Sequence, residues 1–180
     1  MNSTRIAATR PLRFAYYDSL SAASKRTYRK SDSVVHVDVP HVAALVPLAK
    51  AVQPALESGD CPATQRACQS LVDALNARLA TPAVEVHVFE RRPHNAEGEL
   101  QGLYEPDEVT GGIARVSVWM RTARKEQVVK FRTFLRTLVH EVCHHLDYEL
   151  YRLPETFHTQ GFYTRESALM RELLGEKPRA

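Results

Sequence analysis

Residues 138–147 read Leu138-Val139-His140-Glu141-Val142-Cys143-His144-His145-Leu146-Asp147, and the rest of the chain is read outward from this stretch. His140 and His144 are four apart. On a helix, both imidazoles leave one face a turn apart and can share a single tetrahedral zinc ion. Glu141 sits one residue on, placed to reach a water activated by that ion without ligating the ion itself. Such a water loses its proton near neutral pH, and a glutamate is the base that takes it. Val139, Val142, Cys143 and Leu146 are uncharged, as a buried site on an apolar helix requires. The bland alternative is a helix that happens to display two histidines, but a coincidence gives no reason for a glutamate at this spacing.

A catalytic zinc takes three protein ligands and keeps one position for water. The third ligand must therefore come from downstream, where His145, Asp147, Glu149, His158 and Glu166 are available. His145 lies about a hundred degrees round the helix from His144 and points elsewhere. Asp147 falls on nearly the same face as His140, two turns along, and suits a carboxylate that orients a ligand imidazole. Glu149 points away. His158 follows the helix break at Pro154, where the chain can fold back over the site, and is preferred to Glu166 in the final helix. The expected cofactor is one Zn2+ per chain.

Upstream of the motif, Val128, Phe131, Leu135, Leu138, Val142 and Leu146 recur three or four apart, predicting a long helix over 125–151. Before it, Ile113 to Met120 is β-branched and aromatic, the clearest strand in the chain. Val84, Val86 and Val88 alternate with Glu85 and His87 in a half-exposed strand, and 100–104 forms a second short one. Nearer the N-terminus, helical spacing covers 40–56, disturbed by Pro47 and Pro54, and then 63–80. Ser19 or Ser21 caps a short basic helix to about Lys30, broken by Ser31 and Asp32. A last helix spans 162–174. The expected architecture is α+β: N-terminal helices, a small mainly antiparallel sheet, the site-bearing helix and a closing C-terminal helix. Residues 1–33 form a basic arm and short helix, and 34–180 the main domain.

The chain of 180 residues, with 44% hydrophobic and 25% charged residues, suits one folded domain rather than a disordered one. Its three cysteines, Cys61, Cys68 and Cys143, show no CxxC spacing, so neither a disulfide framework nor a cysteine zinc site is indicated. No stretch is apolar for long enough to span a bilayer, and a reducing cytoplasm is the expected location. Arg5, Arg10, Arg13, Lys25, Arg26, Arg29 and Lys30 face a single acid, Asp18, in the first thirty residues. That arm is read as a solvated face, with nucleic acid as the less favoured partner.

His140-Glu141-x-x-His144, followed by His158-Thr159-Gln160-Gly161-Phe162, resembles zincin metallopeptidases of the SprT-like and related minimal types over about residues 113–175. The resemblance implies a zincin-like domain, zinc held by His140, His144 and His158, Glu141 as the catalytic base, and Phe162 packed into the core. It also implies that Ile113–Met120 is an edge strand on which a peptide or protein substrate adds as a further strand. Tyr148, Tyr163 and Arg165 are the candidates for stabilising the transition state. The expected activity is zinc-dependent peptide hydrolysis. The alternative is a catalytically silent zinc-binding module of the same fold, working through the basic arm.

Overall fold

The computed structural model describes residues 14–95, 98–124 and 126–177. Arg5, Arg10 and Arg13 of the basic arm, within 1–13, lie outside them. After a 3-10 turn at Ala15–Ser19 comes α1 (Ala22–Ser33), whose N-cap Ser21 accepts from the Ser24 backbone N–H. α1 runs past Ser31 and Asp32, which were expected to break it. Ser31 is instead fully buried and both residues are used against α6, described below. A second 3-10 turn at Val42–Leu45 leads into α2 (Val46–Glu57), with Pro47 in its first turn and Pro54 inside it. α3 (Cys61–Leu79) begins at Asp60, whose carboxylate caps the Ala63 N–H.

The strands follow as β1 (Val84–Arg91), the short pair β2 (His94–Asn95) and β3 (Gly98–Glu99), then β4 (Gly102–Glu105) and β5 (Ala114–Arg121). A single turn, α4 (Asp107–Thr110), separates β4 from β5. The main sheet has the order β1-β5-β4. β5 runs parallel to β1, with Val86 beside Val116, and antiparallel to β4, with Tyr104 beside Val116. The sheet is therefore mixed rather than mainly antiparallel. β5 is its centre, so Ile113–Met120 is not the edge strand that was expected; the exposed edge beside the site belongs to β4. A strand hydrogen-bonded on both sides has no backbone groups left to offer a further strand.

α5 (Phe131–Glu149) starts six residues later than its periodicity suggests. Residues 126–129 turn back on β5 instead: Glu126 adopts a left-handed φ of 52°, Thr122 donates to Gln127, and Val129 donates to Met120 at 2.7 Å. Val128 and Val129 satisfy the apolar pattern as an extended segment, so period alone could not separate the two readings. α6 (Gln160–Leu174) is capped by Thr159, which accepts from the Phe162 N–H at 2.9 Å.

The helices cover one face of the sheet. α3 lies on β1, and α5 lies on β5 and β4. Val84, Val86 and Val88, Val116, Val118 and Met120 point into this layer and meet Leu71, Leu75, Leu135, Leu138 and Val142. Burying such side chains stabilises by about 1.5–3 kcal/mol each. α1 packs on α6, so its buried residues belong to the same body as the core. Among the described residues, no helix is long and apolar enough to cross a membrane.

Candidate metal centre

The apolar stripe of α5 is seated in the core, which leaves its other side facing a cleft of about 690 Å3. His140, Glu141 and His144 stand on the floor of that cleft. β4 borders it through Gly102, Leu103 and Tyr104, and the α5–α6 connection through Thr156 and His158. The connection does fold back over the helix. His158 Nε2 lies 2.9 Å from His140 Nε2 and 3.1 Å from His144 Nε2, and the two helical nitrogens are 3.2 Å apart. These three are the candidate metal-holding group found among the described residues.

The far side of each α5 imidazole decides what that triangle means. His140 Nδ1 is 2.9 Å from Glu166 Oε2, an acceptor, so the ring proton sits on Nδ1. His144 Nδ1 is 2.8 Å from Thr156 Oγ1, and the Thr156 hydroxyl gives its only proton to Asp147 Oδ2 at 2.7 Å. Oγ1 can then only accept, which puts the His144 proton on Nδ1 as well. Both Nε2 atoms present bare lone pairs to one another at 3.2 Å. Two lone pairs cannot hydrogen-bond to each other, and an electrophile shared with His158 Nε2 would satisfy both. A tetrahedral zinc with nitrogens at 2.0–2.1 Å would set them roughly 3.3 Å apart, so the residues present fit that ion. Burial, with His140, His158 and Arg165 adding to it, lowers the His144 pKa to about 3, and burial lowers that of His158. Both therefore stay neutral, as ligands must.

Phe162 is fully buried beneath the site, with its ring centroid 5.0, 4.7 and 5.3 Å from those of His140, His144 and His158. Glu141 is 7% exposed. Burial pushes its carboxyl up to about 7, against the opposing pull of His140 and of a hydrogen bond from the Tyr104 backbone, while Glu166 raises it further.

Several expected roles change. Asp147 does orient a site imidazole, but through Thr156, which the sequence reading missed and which carries no local signal. Glu166 stands behind His140 rather than beside the Nε2 triangle, and its other oxygen accepts from Arg136 Nη1 at 2.7 Å. Arg165, expected among the groups facing the cleft, does not line it. It is fully buried and bonded to Asp147 Oδ1 and to the Ser31 and Val34 carbonyls. Tyr148 and Tyr163 do line the cleft. His145 points away as expected, between the Pro82 carbonyl and the Tyr104 hydroxyl.

Gly102 was also missed, although a glycine within a strand marks close approach. A Cβ there would lie 2.3 Å from Glu141 Oε1 and 2.8 Å from its Cδ and Cγ. Gly102→Ala should therefore force the buried Glu141 side chain to shift from Cγ outward and lower the melting temperature by a few degrees. Any hydrolytic activity should fall by about 10²-fold as the carboxylate is displaced by an ångström or more. Steady-state kinetics beside a thermal melt checks this, and unaltered kinetics would remove Gly102 from the site.

No protein-family model, curated protein or solved structure matches this chain. The class of site rests on its own residues: a three-nitrogen donor set with a buried carboxylate beside it, open to a cleft with a strand edge.

Proposed function

We propose that this chain is a zinc-dependent peptide hydrolase of zincin type, with Glu141 as its catalytic base. The observation that carries the reading is the convergence of three Nε2 atoms, two of them with proton-free lone pairs by virtue of Glu166 and Thr156. His140, His144 and His158 would hold a zinc ion, which would supply Lewis acidity toward a water and a peptide carbonyl. Glu141 takes the proton from the attacking water and hands it to the departing amine, so the peptide bond and one water become a carboxylate and an amine. An extended substrate backbone would run along the outer edge of β4, with Leu103, Tyr104, Pro106 and Tyr148 offering apolar contact. The hydroxyls of Tyr148 and Tyr163 are the candidates for the developing oxyanion.

The reading as a silent binding module draws little support from α1. Lys25 Nζ donates to the Asp18 carbonyl, Arg29 to the Tyr17 hydroxyl and Lys30 Nζ to the Tyr151 carbonyl. These three cations each make a hydrogen bond within the fold, while Arg26 is exposed.

The deciding experiment is the metal content of protein purified without chelators or a histidine tag. About one zinc per chain is expected, and it should be lost in His144→Ala and in His158→Ala. A wild-type chain that takes up no zinc even on titration would sink the proposal.

A further inference from the structure

The three histidines stand on elements of unequal stiffness. His140 and His144 ride on α5, hydrogen-bonded along its length. His158 lies in the connection between α5 and α6, which is attached at three points to a segment distant in sequence. At its start, Lys30 Nζ donates to the Tyr151 carbonyl at 2.7 Å. At its end, the Gly161 N–H donates to Asp32 Oδ1 at 2.9 Å, and a Cβ on Gly161 would fall 2.1 Å from the Asp32 carbonyl oxygen. Between them, the Tyr16 hydroxyl donates to the carbonyl of His158 itself at 2.9 Å.

Aromatic contacts repeat the pattern. The Tyr16 ring stacks on Phe157 at 6.4 Å, and fully buried Tyr28 meets Phe157 at 5.9 Å. Phe14 packs edge-on against Tyr163 at 6.0 Å, and the Tyr163 ring is stacked on the His158 imidazole at 5.8 Å with an interplanar angle of 19°.

From these contacts we infer that residues 14–33 form a clamp that sets the position of the third metal-holding histidine, with Tyr16 as the positioning residue acting through the His158 backbone. The inference rests on the reading of the three histidines as a zinc site. Its physical basis is preorganisation: a ligand loop already held in place loses less freedom when the ion arrives, and partners behind the ligands commonly change metal affinity 10–100-fold. Coupling of this kind is reciprocal, so the ion must stabilise the clamp as much as the clamp favours the ion.

The test uses the full chain, wild type and Tyr16→Phe, which removes one hydroxyl and keeps the ring. Zinc affinity is measured by competition with a chromophoric chelator, and the visible spectrum is recorded with cobalt(II). Metal-free protein is melted in parallel. Tyr16→Phe should bind zinc about ten-fold more weakly, with an altered cobalt spectrum and an unchanged metal-free melt. In the wild type, zinc loading should slow amide hydrogen exchange in residues 14–20 as well as around His158. This second readout needs no mutant to fold. Equal zinc affinity in the two proteins, or exchange in 14–20 that ignores zinc, would overturn the clamp. A wild type that binds no zinc at all would instead overturn the site itself, and the clamp with it.

Discussion

Replacing Glu141 with glutamine should lower kcat for peptide hydrolysis by about 10²- to 10⁴-fold while leaving the zinc content at its wild-type value. Glutamine keeps the shape of the side chain, so the space left by Gly102 still accommodates it. What it cannot do is accept the proton of the attacking water. The three imidazoles are untouched, and the partners that set two of their tautomers, Glu166 and Thr156, do not contact the substituted oxygen. Exchanging a carboxyl that burial holds near pKa 7 for a neutral amide removes the desolvation cost of its charged form, so the fold should be no less stable. The informative pair of measurements is kcat and metal content on one preparation. Hydrolysis by Glu141→Gln at the wild-type rate would remove the glutamate from the mechanism, whatever the zinc content.

The second large effect is on stability. Arg165→Leu should cost about 3–5 kcal/mol, because it leaves the Asp147 carboxylate buried without its counter-charge. Asp147 and Arg165 are both at 0% exposure, and the same guanidinium satisfies the Ser31 and Val34 carbonyls and lies 4.8 Å from the Phe162 ring centroid. Lysine cannot substitute, having no planar fork to reach the carboxylate and two carbonyls together. Urea denaturation should show a lowered midpoint with little change in slope. Adding Asp147→Asn to Arg165→Leu should recover part of the loss, since the amide is neutral. If Arg165→Leu unfolds at the wild-type urea concentration, the buried pair does not hold α1, α5 and α6 together.

The local part of this site was open to reading from the sequence because helix geometry is local. Four residues make about one turn, so His140, Glu141 and His144 were placed relative to one another before any tertiary contact was known. The cap at Ser21 and the alternation of Val84, Val86 and Val88 were legible for the same reason: each depends on a few neighbouring residues. His158 was found by elimination and by the break at Pro154, which says where a chain can turn but not where it arrives.

Everything that required two distant segments to meet was decided by tertiary structure alone. The strands 84–91, 102–105 and 114–121 were visible, but not that the third pairs with both others and leaves β4 at the edge, because the order of strands in a sheet is a property of the whole packing. Val128 fits a helix and a hairpin equally well until the neighbouring Val129 finds a backbone partner in Met120. Arg165 seemed free to act in the cleft until α1 closed over it. Thr156, Glu166 and Tyr16 have no motif. Their roles come from where α6, the α5–α6 connection and the first 3-10 turn bring them: Glu166 and Thr156 against the far sides of the His140 and His144 imidazoles, and Tyr16 against the His158 carbonyl. Spacing along one helix determined which groups can do chemistry here; the contacts between helices decided which tautomers those groups hold and what fixes them in place.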